Sequence, residues 1–239
     1  MVYWSCTDFS QGLDEEGDLP FEQILGSREL AEYLRLRVPK RKREWLASRT
    51  AVKKLIRKAL PSRSTLEDQR IETIKDVTGV PHVEIDGTQV EGQLSLSHSQ
   101  GKVLCAFSPL DISLGVDIER IEARSPEFVE DYFTENEIRQ VTRAADDRQP
   151  FLATLVWSAK EAVLKALSLG LNLDTRSIEI RVDEATESST QEWQSLQISG
   201  RLNETSSLHV YWRREDEFVL TLCSSDDSAP VGVPSASIN

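Results

Sequence analysis

The chain has 239 residues, 39% hydrophobic, 28% charged and 7% aromatic, and its formal net charge is −12. The apolar share is ample for a packed core and excludes wholesale disorder, while the acidic balance argues against general nucleic-acid binding. No apolar run approaches the roughly 18 residues that cross a bilayer, so no membrane association is expected. The opening MVYWSCTDFS has neither a basic start nor a long apolar run, so no signal peptide is expected there. Cys6, Cys105 and Cys223 are odd in number and far apart. They form neither a disulfide framework nor a zinc site and fit a reducing, cytoplasmic setting. A single domain or two fused units of about 110–120 residues would suit this length.

In chain order, residues 2–6 read as a strand and 14–18 as an acidic loop. Residues 27–36 have helical spacing. A longer helix is predicted from Pro39, a residue suited to a first turn, to about Leu60, where Pro61-Ser62-Arg63-Ser64 stops it. Residues 93–97 and 102–108 are predicted strands with Gln100-Gly101 in the turn, and 114–118 is a further strand. Thr134 followed by Glu137 has the form of a capping box, and 144–149 is a polar break. From Phe151 to about Leu169 the apolar positions recur at helical steps, with Gly170 as the stop. Strands are predicted at 177–182, 196–198, 208–212 and 218–223, with a polar loop at 183–193 and a fraying tail from Ser224.

The halves echo each other. Residues 48–54 can be laid over 159–165 at an offset of 111, and Val103-Leu104 over Val219-Leu220 at an offset of 116. Identities this short also arise by chance, so a duplication stays open. If it is real, the design is two α+β lobes. Charge is uneven as well: residues 35–60 hold eleven Lys or Arg against one acid, Glu44. Such an island is either a localised anion site or a solvated helix face.

Three elements could carry chemistry. In Gly115-Val116-Asp117-Ile118-Glu119, strand alternation sends Asp117 and Glu119 to one side, where they offer hard oxygen ligands for Mg²⁺; a solvated strand face is the plainer account. In Trp157-Ser158-Ala159-Lys160-Glu161-Ala162-Val163-Leu164-Lys165, the positions Trp157, Glu161 and Lys165 stack on one helical face. Glu161 and Lys165 are there either an ordinary surface pair or a metal ligand beside a phosphate-binding cation. His98 lies between Ser97 and Ser99 at a strand end and could donate to a phosphate.

Together, in this order, these segments resemble the 4′-phosphopantetheinyl transferases of the surfactin-synthetase-activating, two-lobed type. The residues carrying the resemblance are Ser97-His98-Ser99, Gly115-Val116-Asp117-Ile118-Glu119, Phe133-Thr134 with Glu137, and Trp157-Ser158-Ala159-Lys160-Glu161 with Lys165. Arg43-Glu44-Trp45-Leu46-Ala47-Ser48-Arg49 is similar to the family's first basic helix.

The resemblance implies an α+β fold of two similar lobes in pseudo-twofold arrangement, each a small, mainly antiparallel sheet with a long helix, and an active site between them. The expected divisions are a coenzyme-binding lobe at 1–112, a metal-binding and catalytic lobe at 113–223 and a flexible tail at 224–239. It implies transfer of 4′-phosphopantetheine from coenzyme A to a serine of an acyl or peptidyl carrier protein, releasing 3′,5′-ADP, with Mg²⁺ as cofactor. Asp117, Glu119 and Glu161 would hold the metal, and Glu161 and Lys165 would be catalytic. Arg43, Arg49, Ser97, His98, Lys160 and Lys165 would contact the coenzyme. A monomer is expected.

Many relatives carry Gly-Lys-Pro before the Ser-His segment; here Thr78-Gly79-Val80-Pro81 puts valine in the lysine's place, and Lys75 is the nearest substitute cation. The carrier is expected to dock along 121–143, on Phe128, Val129, Tyr132 and Phe133 with Arg124, Arg139 and Arg143 at the rim. The rival readings are a Mg²⁺-dependent phosphodiesterase using the same acids with water as nucleophile, and a non-catalytic module that binds carriers.

Overall fold

Proline, with its fixed φ and no amide to leave unpaired, opens three of the described helices: Pro39, Pro126 and Pro150 all sit in first turns. The structure is a computed structural model, and it describes residues 1–9, 21–168, 173–183, 192–200, 205 and 207–233. The expected acidic loop at 14–18, the Gly170 stop and most of the loop at 183–193 lie outside the described residues.

The elements run β1 (Tyr3–Asp8), α1 (Phe21–Ile24), α2 (Ser27–Arg35), α3 (Pro39–Ala59), β2 (Ile71–Lys75), β3 (Pro81–Ile85), β4 (Thr88–Gln89), β5 (Gln93–Ser99) and β6 (Lys102–Ser108). They continue with β7 (Leu114–Arg120), α4 (Pro126–Tyr132), α5 (Glu135–Arg143), α6 (Gln149–Ala166), β8 (Ile178–Arg181), β9 (Gln194–Gly200), β10 (His209–Glu215), β11 (Phe218–Ser224) and β12 (Val231–Gly232). The fold is mixed α+β, and among the described residues every strand pairing except β1–β12 is antiparallel.

Contacts divide the chain into unit 1, Met1–Asp111 with Pro230–Asn239, and unit 2, Ile112–Ala229. Unit 1 has a sheet ordered β12-β1-β6-β5 and a small β2-β3-β4 sheet. Its core packs α3 (Ala47, Ala51, Val52, Leu55, Ile56) on Val103, Cys105 and Phe107 of β6, which is buried along its whole length. Among the described residues unit 2 has one sheet, β7-β11-β10-β9-β8, covered by α6 through Leu155, Val156, Ala159, Ala162 and Val163.

Each unit contains the same buried clamp. In unit 2, Lys160 of α6 has no exposed surface and lies 2.8 Å from Glu137, while its Nζ donates to the carbonyls of Thr175 at 2.9 Å and Ile178 at 2.7 Å. Glu137, at the third position of α5, completes the capping box with Thr134 and accepts from the Ile180 amide at 2.7 Å. In unit 1, Lys53 of α3 lies 2.6 Å from Glu29, third in α2, and donates to the Ile71 carbonyl; Glu29 accepts from the Thr73 amide at 2.8 Å. A buried charge this deep is tolerated only when paired and fully hydrogen-bonded.

The clamps correct the register of the echo. Lys53 and Lys160 are equivalent, so the long helices correspond at an offset of 107, one helical turn from the 111 read by matching letters. The closing hairpins keep the offset of 116: β5 and β6 correspond to β10 and β11 along their whole lengths.

The tail differs from expectation. Residues 231 and 232 pair in parallel with Tyr3 and Trp4, and the Val233 amide donates to the Trp4 carbonyl at 2.9 Å. The outer edge of β1 offers unpaired backbone groups, and this segment satisfies them. The hairpin β2–β3 is absent from the sequence reading; it places Lys75 opposite Pro81 and turns through Gly79 at φ +90°.

Candidate active site

Strand β7 runs antiparallel to β11, with Asp117 opposite Thr221 and Glu119 opposite Val219. The Thr221 hydroxyl lies 2.9 Å from both the Ser158 hydroxyl and the Ser158 carbonyl, so α6 is pinned to the sheet beside Asp117. Gly115 brings the same strand against α6 at a distance no side chain would allow: a Cβ there would meet the Ala162 carbonyl. These contacts bring Asp117, Glu119, Glu161 and Lys165 together within unit 2. Sequence reading passed over Thr221 and gave Ser158 and Gly115 no task; the small residues facing a helix are the signal that could have found them.

Lys165 Nζ is 2.8 Å from Asp117 Oδ1 and 3.0 Å from the Val116 carbonyl. Arg124 donates to Glu119 at 3.2 Å and lies 3.3 Å from Glu122. Burial raises the pKa of Glu161, the neighbouring Asp117 raises it further, and Lys165 opposes both. Glu119 is likewise raised, first by burial and then by Asp117, with Arg124 and a hydrogen bond from Trp157 acting the other way. Carboxylates that share one partly dry site resist ionising together, and a cation relieves them.

Two observations bear on a metal. Among the described residues no three His, Cys, Asp or Glu side chains converge as a ready coordination set; the acids are turned onto Lys165 and Arg124. Glu161 Oε1, however, is buried with no hydrogen-bond partner. An all-carboxylate donor set with one unsatisfied buried oxygen fits a hard divalent cation of the Mg²⁺ type.

The expected coenzyme contacts divide. Arg43 on α3 and His98 on β5 are exposed, and Ser97 is half-buried. Arg49 is 4% exposed, its guanidinium 4.1 Å from the Trp45 ring and 3.6 Å from Glu29, with Nε lacking a hydrogen-bond partner. Lys160 is a correction: its ammonium is spent inside unit 2 on Glu137 and two carbonyls, so it does not contact a coenzyme.

The expected docking surface also changes. Phe133 and Val129 belong to the core of unit 2. Phe128 and Tyr132 pack on Trp157 with ring centroids 4.9 and 5.1 Å away. Arg139 and Arg143 are exposed and line a cleft of about 800 Å³ with Arg148 and Arg181.

Comparison with known proteins gives residues 113–223 as a match to the 4′-phosphopantetheinyl transferase superfamily. The chain is 31% identical over 123 residues to 4′-phosphopantetheinyl transferase gsp of Aneurinibacillus migulanus, covering 52% of this chain and 49% of that one. It is 30% identical over 92 residues to 4′-phosphopantetheinyl transferase Sfp of Bacillus subtilis (strain 168), covering 38% and 40%. The matched part thus spans half or less of these curated relatives. A crystal structure of a holo-(acyl-carrier-protein) synthase from Bacillus anthracis str. Ames in complex with CoA (3′,5′-ADP) overlaps 47% of this chain and 95% of its own, at 22% identity. The TM-score of this overlap is 0.38. The segment that holds Asp117, Glu119, Glu161 and Lys165 is therefore the one that bears the signature of the 4′-phosphopantetheinyl transferase superfamily.

Proposed function

We propose that the chain transfers the 4′-phosphopantetheine group of coenzyme A to a serine of an acyl or peptidyl carrier protein, releasing 3′,5′-ADP. The observation that carries this reading is the gathering of Asp117, Glu119, Glu161 and Lys165 on β7 and α6, inside the segment that matches the superfamily. A serine hydroxyl is a weak nucleophile and needs a base beside it. Glu161 has an unpartnered buried oxygen and a pKa raised by burial and by the neighbouring Asp117, which suits it to take the serine proton, directly or through water. The serine oxygen then bonds to the phosphorus bearing the pantetheine arm, as the bond from that phosphorus to the bridging oxygen breaks and 3′,5′-ADP departs with that oxygen.

Magnesium, held by Asp117, Glu119 and Glu161, would supply charge neutralisation at the diphosphate. Lys165 is the cation beside this cluster and pairs with coenzyme phosphate oxygens. Arg43, Ser97 and His98 contact coenzyme phosphates, whereas the Arg49 guanidinium is buried with its Nε 3.6 Å from Glu29. The reading includes action in the cytoplasm as a monomer. Among the described residues no helix is long and apolar enough to cross a membrane.

Intact-mass spectrometry of an apo carrier incubated with coenzyme A, MgCl₂ and this protein tests the reading. A mass gain of one phosphopantetheine group is expected. Coenzyme A breakdown without carrier modification would favour the phosphodiesterase, and no turnover at all would favour the binding module.

A further inference from the structure

Glu119 is gripped from two sides. From the segment after β7, Arg124 donates through one terminal nitrogen to Glu119 Oε2 at 3.2 Å, and its other terminal nitrogen lies 3.3 Å from Glu122. From α6, the Trp157 side chain hydrogen-bonds to the same carboxylate. Phe128 sits between these donors: the Arg124 guanidinium lies 5.2 Å from its ring centroid, and the Trp157 ring meets it edge-on at 4.9 Å. Only 15% of the Arg124 side chain is exposed. Arginine, aromatic ring and indole thus make a closed bracket around one carboxylate, drawn from three separate stretches of unit 2.

We propose that Arg124 is a positioning residue for Glu119, holding the carboxylate in the orientation that binds the divalent cation, with Phe128 as the spacer that keeps Arg124 and Trp157 in place. This rests on the metal assignment made above. The charge of Arg124 is already shared between Glu119 and Glu122, so its main contribution is the fixed fork geometry rather than a field. Hydrogen-bonding partners of metal ligands typically contribute 10–100-fold to metal affinity.

The test is calorimetric titration of the full chain with MgCl₂, without coenzyme or carrier, and with thermal melting to confirm folding. Arg124→Met, which keeps the packing on Phe128 and removes the donors, should bind magnesium about tenfold more weakly. Arg124→Lys should recover part of that loss, and Phe128→Ala should weaken binding by a smaller factor. Arg120→Met is the control for charge: Arg120 follows Glu119 on β7, is exposed and pairs with Glu217, so its loss should leave affinity unchanged or tighten it. Folded Arg124→Met with parental or tighter affinity would overturn the inference, as would equal changes in Arg124→Met and Arg120→Met. If the parent chain itself takes up no magnesium, the metal assignment fails, and this inference with it.

Discussion

A Cβ placed on Gly115 would lie 1.9 Å from the Ala162 carbonyl oxygen and 2.5 Å from the Ala166 amide nitrogen. Gly115 is not in the left-handed region, so close approach rather than backbone freedom requires the glycine here. Strand and helix meet backbone to backbone, and that spacing sets Asp117 and Glu119 beside Glu161 and Lys165. Gly115→Ala must force β7 and α6 apart. Overpacking of this kind costs about 1–3 kcal/mol. Carrier modification should fall far more than the lost stability explains when assayed well below the melting temperature. Turnover near that of the parent would show that this spacing does not govern the site.

The acids should act as one group. Asp117→Asn, Glu119→Gln and Glu161→Gln are nearly isosteric, so each should melt close to the parent while losing activity. For Glu161, removal of a general base predicts a loss on the order of 10²–10⁴-fold. Single-turnover mass spectrometry of the carrier checks it; a folded Glu161→Gln that keeps a tenth of the rate would remove the proton-accepting role from this residue.

The clamps carry a stability prediction. Lys160→Met leaves Glu137 buried without its cation and should destabilise the chain by about 3–5 kcal/mol. Lys53→Met should cost less, because Arg49 stays 3.6 Å from Glu29. Pairing Lys160→Met with Glu137→Leu should recover part of the loss, because no charge is then stranded, although the Ile180 amide loses its acceptor. Pairing Lys53→Met with Glu29→Leu should recover less, because it strands the buried Arg49, 3.6 Å from Glu29. Urea unfolding of each set of single and double variants measures this, and additive losses would count against the pairing.

All three thiols are buried. Burial pushes Cys105 up to about 12, with Arg49 opposing, and pushes Cys223 up as well. The thiolate is the reactive form, so the folded chain at pH 8 should resist a disulfide reagent, and three thiols should react after unfolding in guanidinium. A thiol that reacts within seconds in the folded chain would show that one of these sites opens readily.

Much of the site could be read in the sequence because its geometry is local. Two-residue alternation sets Asp117 and Glu119 side by side, and four-residue steps stack Trp157, Glu161 and Lys165. What escaped was set by the far side of the same elements. Lys160 precedes Glu161 in the chain, but adjacent helical positions point about 100° apart, so one faces the core while the other borders the site. The acid that receives Lys160 is Glu137, which a sequence shows only as a capping residue. The echo slipped by one turn because helices repeat their apolar letters every three or four residues, and a letter match cannot tell successive turns apart. The hairpin β2–β3 hid among charged residues: Ile71-Glu72-Thr73-Ile74-Lys75 buries Glu72 and Thr73 as well as Ile71, so no clean alternation marks it.

The pairing of Val231 and Gly232 with β1 has a consequence for how the protein matures during synthesis. Chains leave the ribosome from the N-terminus, and domains ordinarily complete themselves in that order. Here the order is inverted: the unit that begins first cannot close its sheet until the unit that begins second has been translated through. Until then β1 waits with one bare edge. The Ser113 carbonyl and the Ser225 amide, 3.1 Å apart, place the ends of the later unit side by side, as in a domain inserted within a host. A chain cut off after Ala229 would therefore keep every described strand of the later unit and leave β1 without its β12 partner.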